Sequence, residues 1–266
     1  MDVRQGKAAM DFGQTVGEYQ RFRTAFPKEF FVRLAGRGIG VAGQRVVDLG
    51  TGTGVLARAF AAKGCVVTGV DVAQELLDDA AALGPDVTYR LAPAEDTGLP
   101  GDSQDVVSAA QCWHWFDRPR VMAEVRRLLA DGGSLVICGR DYSLAPGGIG
   151  ALSEELVLRH NPGWRTRGSL TDIPGWSAEL RDNGFDAVQA FEFDVNQPFT
   201  HEQWRGRMRT SSGVGASLDP AGVAAYDADL ARLLAQRFPD PLVVPHRIWA
   251  ITSTRKACGG ETGADS

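Results

Sequence analysis

The sequence has little of what would tie a small or secreted domain together. Four cysteines (Cys65, Cys112, Cys138 and Cys258) stand in 266 residues, without the spacing of metal ligands. That argues against a zinc module or a disulfide framework and suits a reducing compartment. Cys65 and Cys138 fall in apolar runs, where a buried thiol behaves as a small hydrophobe. No stretch approaches the ~20 apolar residues of a membrane span. Residues 1–19 carry no apolar segment of the kind a secretory leader uses, so a cytoplasmic location is expected. An excess of basic charge is also missing: 28 Lys and Arg face 33 Asp and Glu, a formal charge of −5. A nucleic-acid phosphate backbone is therefore not expected as the main partner.

What is present is a chain long enough for one α/β domain and 44% hydrophobic. Short apolar runs alternate with helical patterns, the mark of parallel βαβ units. Strands are predicted at 45–50, 65–71, 87–92, 105–110 and 134–138, a five-strand parallel core. Helices are predicted between them, the one over 118–130 stopped by Gly132-Gly133. Beyond residue 140 the pattern changes. Residues 141–175, rich in Gly, Pro, Trp and Arg, read as an irregular or partly helical lid. A short helix is expected at 176–183 and a strand at 185–194. Thr200 and Gln203 form a capping-box pair for a helix to about Arg209. Asp219-Pro220 starts a longer helix with Val223, Tyr226, Leu230, Leu233 and Leu234 on one face. The last strand is expected at 245–254. The expectation is one domain over 1–257, with a cofactor-binding part at 45–139. Cap segments fall at about 1–40, 141–183 and 199–240, and 258–266 forms a flexible tail.

The chemical signal is Val47-Asp48-Leu49-Gly50-Thr51-Gly52-Thr53-Gly54, where a strand passes into a helix. Glycines there let the backbone take positive φ and approach a ligand closely. A dinucleotide fingerprint needs a third glycine where Val55 stands, and a Walker loop needs an absent Gly-Lys-Ser/Thr ending. Asp48 would repel phosphates, so a cationic, phosphate-free ligand suits the loop. S-adenosyl-L-methionine fits: it carries a sulfonium and an ammonium, and its carboxylate can meet backbone amides. Asp71 ends the second strand, 17 residues after Gly54, where a carboxylate can accept both ribose hydroxyls. The plainer alternative is that Asp48 and Asp71 are ordinary strand-end residues.

These residues, with Gly69-Val70-Asp71, resemble the class I S-adenosylmethionine-dependent methyltransferase family. Supporting similarity lies at Ala92-Pro93-Ala94-Glu95-Asp96, at Gln111-Cys112-Trp113-His114-Trp115-Phe116-Asp117 and at Arg126 to Gly133. The resemblance implies a Rossmann-like, mostly parallel seven-stranded sheet with helices on both faces and the last strand antiparallel. It implies that Gly50, Thr51 and Gly52 hold the methionine moiety and Asp71 the ribose, with Val72, Ala94 and Glu95 beside the adenine. Gln111 would lie near the methionine end. Relatives often carry Gly-Asp where this chain has Ala92-Pro93, which removes one expected adenine contact.

Further candidates each carry two readings. His114 is a general base near the transferred methyl, or a packing histidine between Trp113 and Trp115. Tyr19 and Arg23 fold over the donor and contact its carboxylate, or belong to a surface helix. Arg165, Arg167, Arg205, Arg207 and Arg209 line a pocket for an acidic molecule, or form a solvated face. Trp113, Trp115, Trp164, Trp176 and Trp204 form an aromatic pocket wall, or are packing anchors. His160 and His201 face substrate or solvent, and His246 is read as structural. No metal site is expected. Together these imply a small-molecule O- or N-methyltransferase, with a carboxylate or hydroxyl among its acceptors and S-adenosyl-L-homocysteine as by-product. The alternatives are a protein methyltransferase, or a protein of this fold that keeps the cofactor and catalyses another reaction.

Overall fold

The computed structural model describes residues 25–164 and 171–256. Tyr19, Arg23, Arg165, Arg167, Cys258 and the expected tail lie outside the described residues. In chain order the elements are α1 (Lys28–Ala35), β1 (Arg45–Leu49), α2 (Val55–Ala61), β2 (Val66–Asp71), α3 (Gln74–Leu83), β3 (Thr88–Leu91) and β4 (Gln104–Ala110). A 3₁₀ turn (Trp113–Trp115) leads to α4 (Arg118–Leu128), β5 (Leu129–Tyr142), α5 (Ile149–His160), α6 (Ile173–Asp182) and β6 (Phe185–Phe199). Then come α7 (His201–Arg209), α8 (Pro220–Arg237) and β7 (Leu242–Arg255).

The seven strands form one sheet in the order β3-β2-β1-β4-β5-β7-β6. The first five pair in parallel, and β7 runs antiparallel between β5 and β6. Central strands read as continuous apolar runs because both of their faces are covered. Val46, Val106, Val136 and Cys138 pack with Phe30 and Leu34 of α1 and Leu56 and Phe60 of α2. On the other face Val47, Leu49, Val107 and Ile137 pack with Val121, Val125 and Leu128 of α4 and Trp176 of α6. A third apolar cluster joins α5, α7 and α8 through Leu156, Trp204, Met208, Tyr226 and Leu230. Strand order reverses at β1, which pairs with both β2 and β4. At such a point the loops leaving the two strands part and open a crevice at their carboxyl ends.

One expectation is corrected and another is made specific. The helix expected over 118–130 ends at Leu128, and Leu129 is already extended (φ −66°, ψ 130°). Both leucines are fully buried, one on the helix stripe and the next on the strand. Gly132-Gly133 instead sits in an irregular stretch of β5, where Gln104 pairs with Leu129 but Val106 with Ser134. Within the expected lid, β5 continues to Tyr142 and α5 is a regular helix of 12 residues. Its Ile149, Leu156 and Val157 are buried, so this stretch is part of a core.

Candidate functional site

The site grows from the turn between β1 and α2. Gly50 and Gly52 have φ of 63° and 54°, the left-handed region that side chains disfavour. Their surroundings differ. A Cβ on Gly50 would stand 2.9 Å from Cys112 Sγ and 3.2 Å from Phe116. The loop is therefore clamped against the segment that follows β4. A Cβ on Gly52 would meet nothing within 4 Å, so this glycine opens onto free space.

Asp48 lies beneath the loop. Its Oδ2 accepts from Thr51 Oγ1 at 2.7 Å and its Oδ1 from Ser108 Oγ at 2.6 Å. Burial pushes its carboxyl up to about 6, against the pull of these hydroxyls and of the Ala57 N–H, while Asp71 nearby adds to the rise. The side chain thus ties the end of β1 to the loop, to β4 and to the first turn of α2. Its charge reaches the cleft from below rather than from the rim.

Asp71 is at the rim. Its Oδ2 accepts from Gly52 N–H at 2.8 Å, and its Oδ1 from the N–H groups of Val72 and Ala73 at 2.8 and 3.0 Å. A carboxylate offers about four lone-pair sites, so Oδ2 keeps acceptor capacity toward a further donor. Val72 beside it is 70% exposed, an apolar surface at the same rim.

The cleft has a volume of about 110 Å³ and is open to solvent. Loop residues Gly50 to Thr53 line it with Asp48, Val55, Leu56 and Ala110, and at its far side stand Phe26, Gln111, Arg140 and Arg207. Gln111 has φ of 59° and donates from Nε2 to the Arg140 carbonyl at 2.8 Å. A left-handed glutamine is uncommon, and here it directs the side chain across the ends of β4 and β5. Arg140 ends the apolar part of β5 and is only 8% exposed. Its guanidinium donates to Gln197 Oε1 of β6 at 2.8 Å and to the Ala25 carbonyl at 3.1 Å. Arg207 comes from α7 and lies 5.0 Å over the Tyr142 ring.

Of the site residues expected from sequence, Asp48, Gly50, Thr51, Gly52 and Gln111 meet in this cleft, and Asp71 joins them through Gly52. Ala94 is buried in the core, and Glu95 accepts from the Asp117 N–H at 2.8 Å. His114 is not among the lining residues. Its ring lies 4.7 Å from that of Trp115, and burial pulls it down to about 4. It is neutral near pH 7 but a weak base. His160 pairs with Asp229 at 3.0 Å, and His201 contacts the Pro239 carbonyl. His246 is buried within β7, as expected. The arginine cluster divides: Arg205 and Arg209 converge on Asp227, while Arg207 turns to the cleft. Of the two readings of the tryptophans, Trp113, Trp176 and Trp204 take the second, as buried anchors, and Phe26 is the aromatic residue among the described lining residues. Arg140 and Phe26 were not singled out by the sequence. The available signal was an arginine closing an otherwise apolar central strand. Among the described residues no cluster suited to a metal ion is found, and no helix is long and apolar enough to cross a membrane.

Comparison with known proteins agrees with this geometry. Residues 47–137 match the family described as "Methyltransferase domain". The chain is 39% identical over 127 residues to an uncharacterized methyltransferase of Mycobacterium tuberculosis, covering 48% of this chain and 51% of that one. It is 29% identical over 179 residues to the ubiquinone biosynthesis O-methyltransferase of Xanthomonas euvesicatoria, covering 65% of this chain and 72% of the other. The chain thus spans about half the length of the first of these curated relatives. The solved structure of a candidate type II methyltransferase from Anaeromyxobacter dehalogenans superposes with a TM-score of 0.65 at 25% identity, covering 88% of this chain and 98% of that one. The strand order, the glycine turn and the two strand-end aspartates thus agree with these matches, which support a class I S-adenosylmethionine-dependent methyltransferase fold with its methyltransferase domain at residues 47–137.

Proposed function

We propose that the protein transfers a methyl group from S-adenosyl-L-methionine to a small molecule, at oxygen or nitrogen, leaving S-adenosyl-L-homocysteine. The observation that carries this is the Gly52–Asp71 junction: an open glycine face bonded to a rim carboxylate with acceptor capacity to spare. A nucleoside with a free diol and no phosphate suits that junction, and the buried negative charge of Asp48 suits a sulfonium. When bound, the donor supplies a methyl group on positively charged sulfur.

The chain's own contribution is placement. Gly50, Thr51 and Gly52 hold the methionine part, Asp71 holds the ribose, and Val72, Ala94 and Glu95 border the base. Gln111, which donates to the Arg140 carbonyl, lies near the methionine end of the donor. Alignment of this kind accounts for up to ~7–11 kcal/mol of barrier lowering. Residues 1–257 act as one unit, with the α5, α7 and α8 cluster as a cap over the acceptor. Isothermal titration of the protein with S-adenosyl-L-methionine and S-adenosyl-L-homocysteine tests the reading. Saturable binding of both is expected, and heat from neither rejects it.

A further inference from the structure

We propose that the methyl acceptor is a small carboxylic acid with an apolar body, held by the guanidinium groups of Arg140 and Arg207 and methylated on a carboxylate oxygen. This rests on the methyl-transfer reading above and adds the chemistry of the acceptor.

The first argument is placement. Arg140 and Arg207 come from separate parts of the chain, the end of a central strand and a cap helix, yet line one cleft. Arginine is seldom buried as deeply as Arg140 without a specific role. Gln197 and the Ala25 carbonyl fix its orientation, and the Tyr142 and Trp204 rings support Arg207 at 5.0 and 6.0 Å. A planar guanidinium held in this way is suited to a carboxylate. Their field is felt around them: after burial, Arg140 and Arg207 are the next contributors to holding His246 low, although the Val244 carbonyl opposes them.

The second argument is the lining beside the two arginines. Phe26, Val55 and Leu56 on the same walls suit an apolar remainder.

The third argument is the proton. Both Asp48 oxygens are engaged beneath the loop, and the other described lining residues are amide, hydroxyl, guanidinium or apolar groups. His114, the base candidate, is not among these lining residues. A carboxylate needs no base. The step forms an oxygen–methyl bond and breaks the methyl–sulfur bond, whose electron pair returns to sulfur. No proton moves, and a positive and a negative charge vanish together.

The test uses the full chain, donor labelled in its methyl group, and a set of aromatic and aliphatic carboxylic acids with the matching amides, alcohols and amines. Label is expected in acids alone, and mild base should release it as methanol. In parallel, Arg207→Gln should raise KM for the accepted acid at least tenfold. Its affinity for S-adenosyl-L-homocysteine, read by calorimetry, should stay within about twofold, and Arg207→Lys should recover part of KM. Label only in alcohols, amides or amines overturns the proposal. So does transfer to no acid by protein that binds the donor. Loss of S-adenosyl-L-homocysteine affinity in Arg207→Gln with KM unchanged also overturns it, because the arginine then serves the donor's carboxylate. Failure of the wild-type chain to bind either nucleoside strikes the underlying reading instead.

Discussion

Asp48 and Asp71 close neighbouring strands, yet their surroundings divide their work. Asp71 keeps lone-pair capacity at the rim, so its contribution to a ligand is direct hydrogen bonding. Asp48 is 1% exposed, and its contribution is charge. Burial makes that charge costly: a rise to about 6 from an ordinary 3.8 corresponds to roughly 3 kcal/mol against the ionised form. A cation nearby recovers part of this. Asp71→Ala should therefore weaken S-adenosyl-L-methionine and S-adenosyl-L-homocysteine alike, by at least about tenfold, through loss of bonds worth ~1.5–3 kcal/mol. Asp48→Asn should weaken the sulfonium form more than its neutral product, while chemical denaturation shows no loss of apo stability near pH 7.5. Paired titrations read both effects, and equal losses for the two ligands in Asp48→Asn would remove the charge argument. At this scale the sequence was legible wherever the signal is local. The glycines of the turn and its two aspartates stand at fixed offsets from a strand end. Arg140 was not legible, because its access to the cleft depends on Gln197 of β6 and on the long pairing of β5 with β7.

Elements place the acceptor side of the cleft. Helix α7 carries Arg207, and its entry is held by a complete capping box in which Thr200 accepts from the Gln203 N–H and Gln203 returns to the Thr200 N–H. Trp204 in its first turn is fully buried and donates to Ser153 Oγ of α5 at 3.0 Å. Thr200→Ala should cost about 1 kcal/mol. It should raise KM for the acceptor with little change in S-adenosyl-L-homocysteine affinity, because the loop and rim that hold the nucleoside lie on other elements. Thermal melts and calorimetry check the two halves. An affinity loss equal to the KM rise would mean that the cap and the donor site move together. This box was readable from Thr200 and Gln203 alone, as were the central strands β1, β2, β4 and β5 from their apolar runs. Helix α5 was not. Its N-cap is Gly148, with no side-chain cap, and Ser153 bonds back to the Ile149 carbonyl within it. The helix is stabilised by packing against α8, through a sequence separation that no local pattern reports.

Over the whole molecule, four buried or part-buried groups set how stability and donor binding respond to mild acid. His114 is held near 4 by burial, and His246 near 3 by burial and then by Arg140 and Arg207. Both folded values lie below the ordinary 6.5, so protons are taken up on unfolding, and stability falls as pH drops from about 6.5. Asp48 has the opposite sign. Its folded value near 6 lies above 3.8, so the folded chain holds a proton that the unfolded chain has released, and acidification through that window adds stability. Glu154, raised by burial, joins Asp48's side. At pH 5 two imidazoles oppose these carboxyls, and unfolding takes up at most about one proton, or ~1.4 kcal/mol per pH unit. The melting temperature should therefore fall between pH 7 and pH 5, and a rise would contradict the assigned burial. Donor binding sharpens the balance. A sulfonium above Asp48 lowers its pKa and removes its compensation, so the fall should be steeper with S-adenosyl-L-methionine bound than with S-adenosyl-L-homocysteine. Equivalently, affinity for the methylated form should weaken below pH 6 while that for the neutral thioether changes less. Melts of the two complexes across this range measure the difference, and identical slopes would mean that Asp48 does not sense the sulfur.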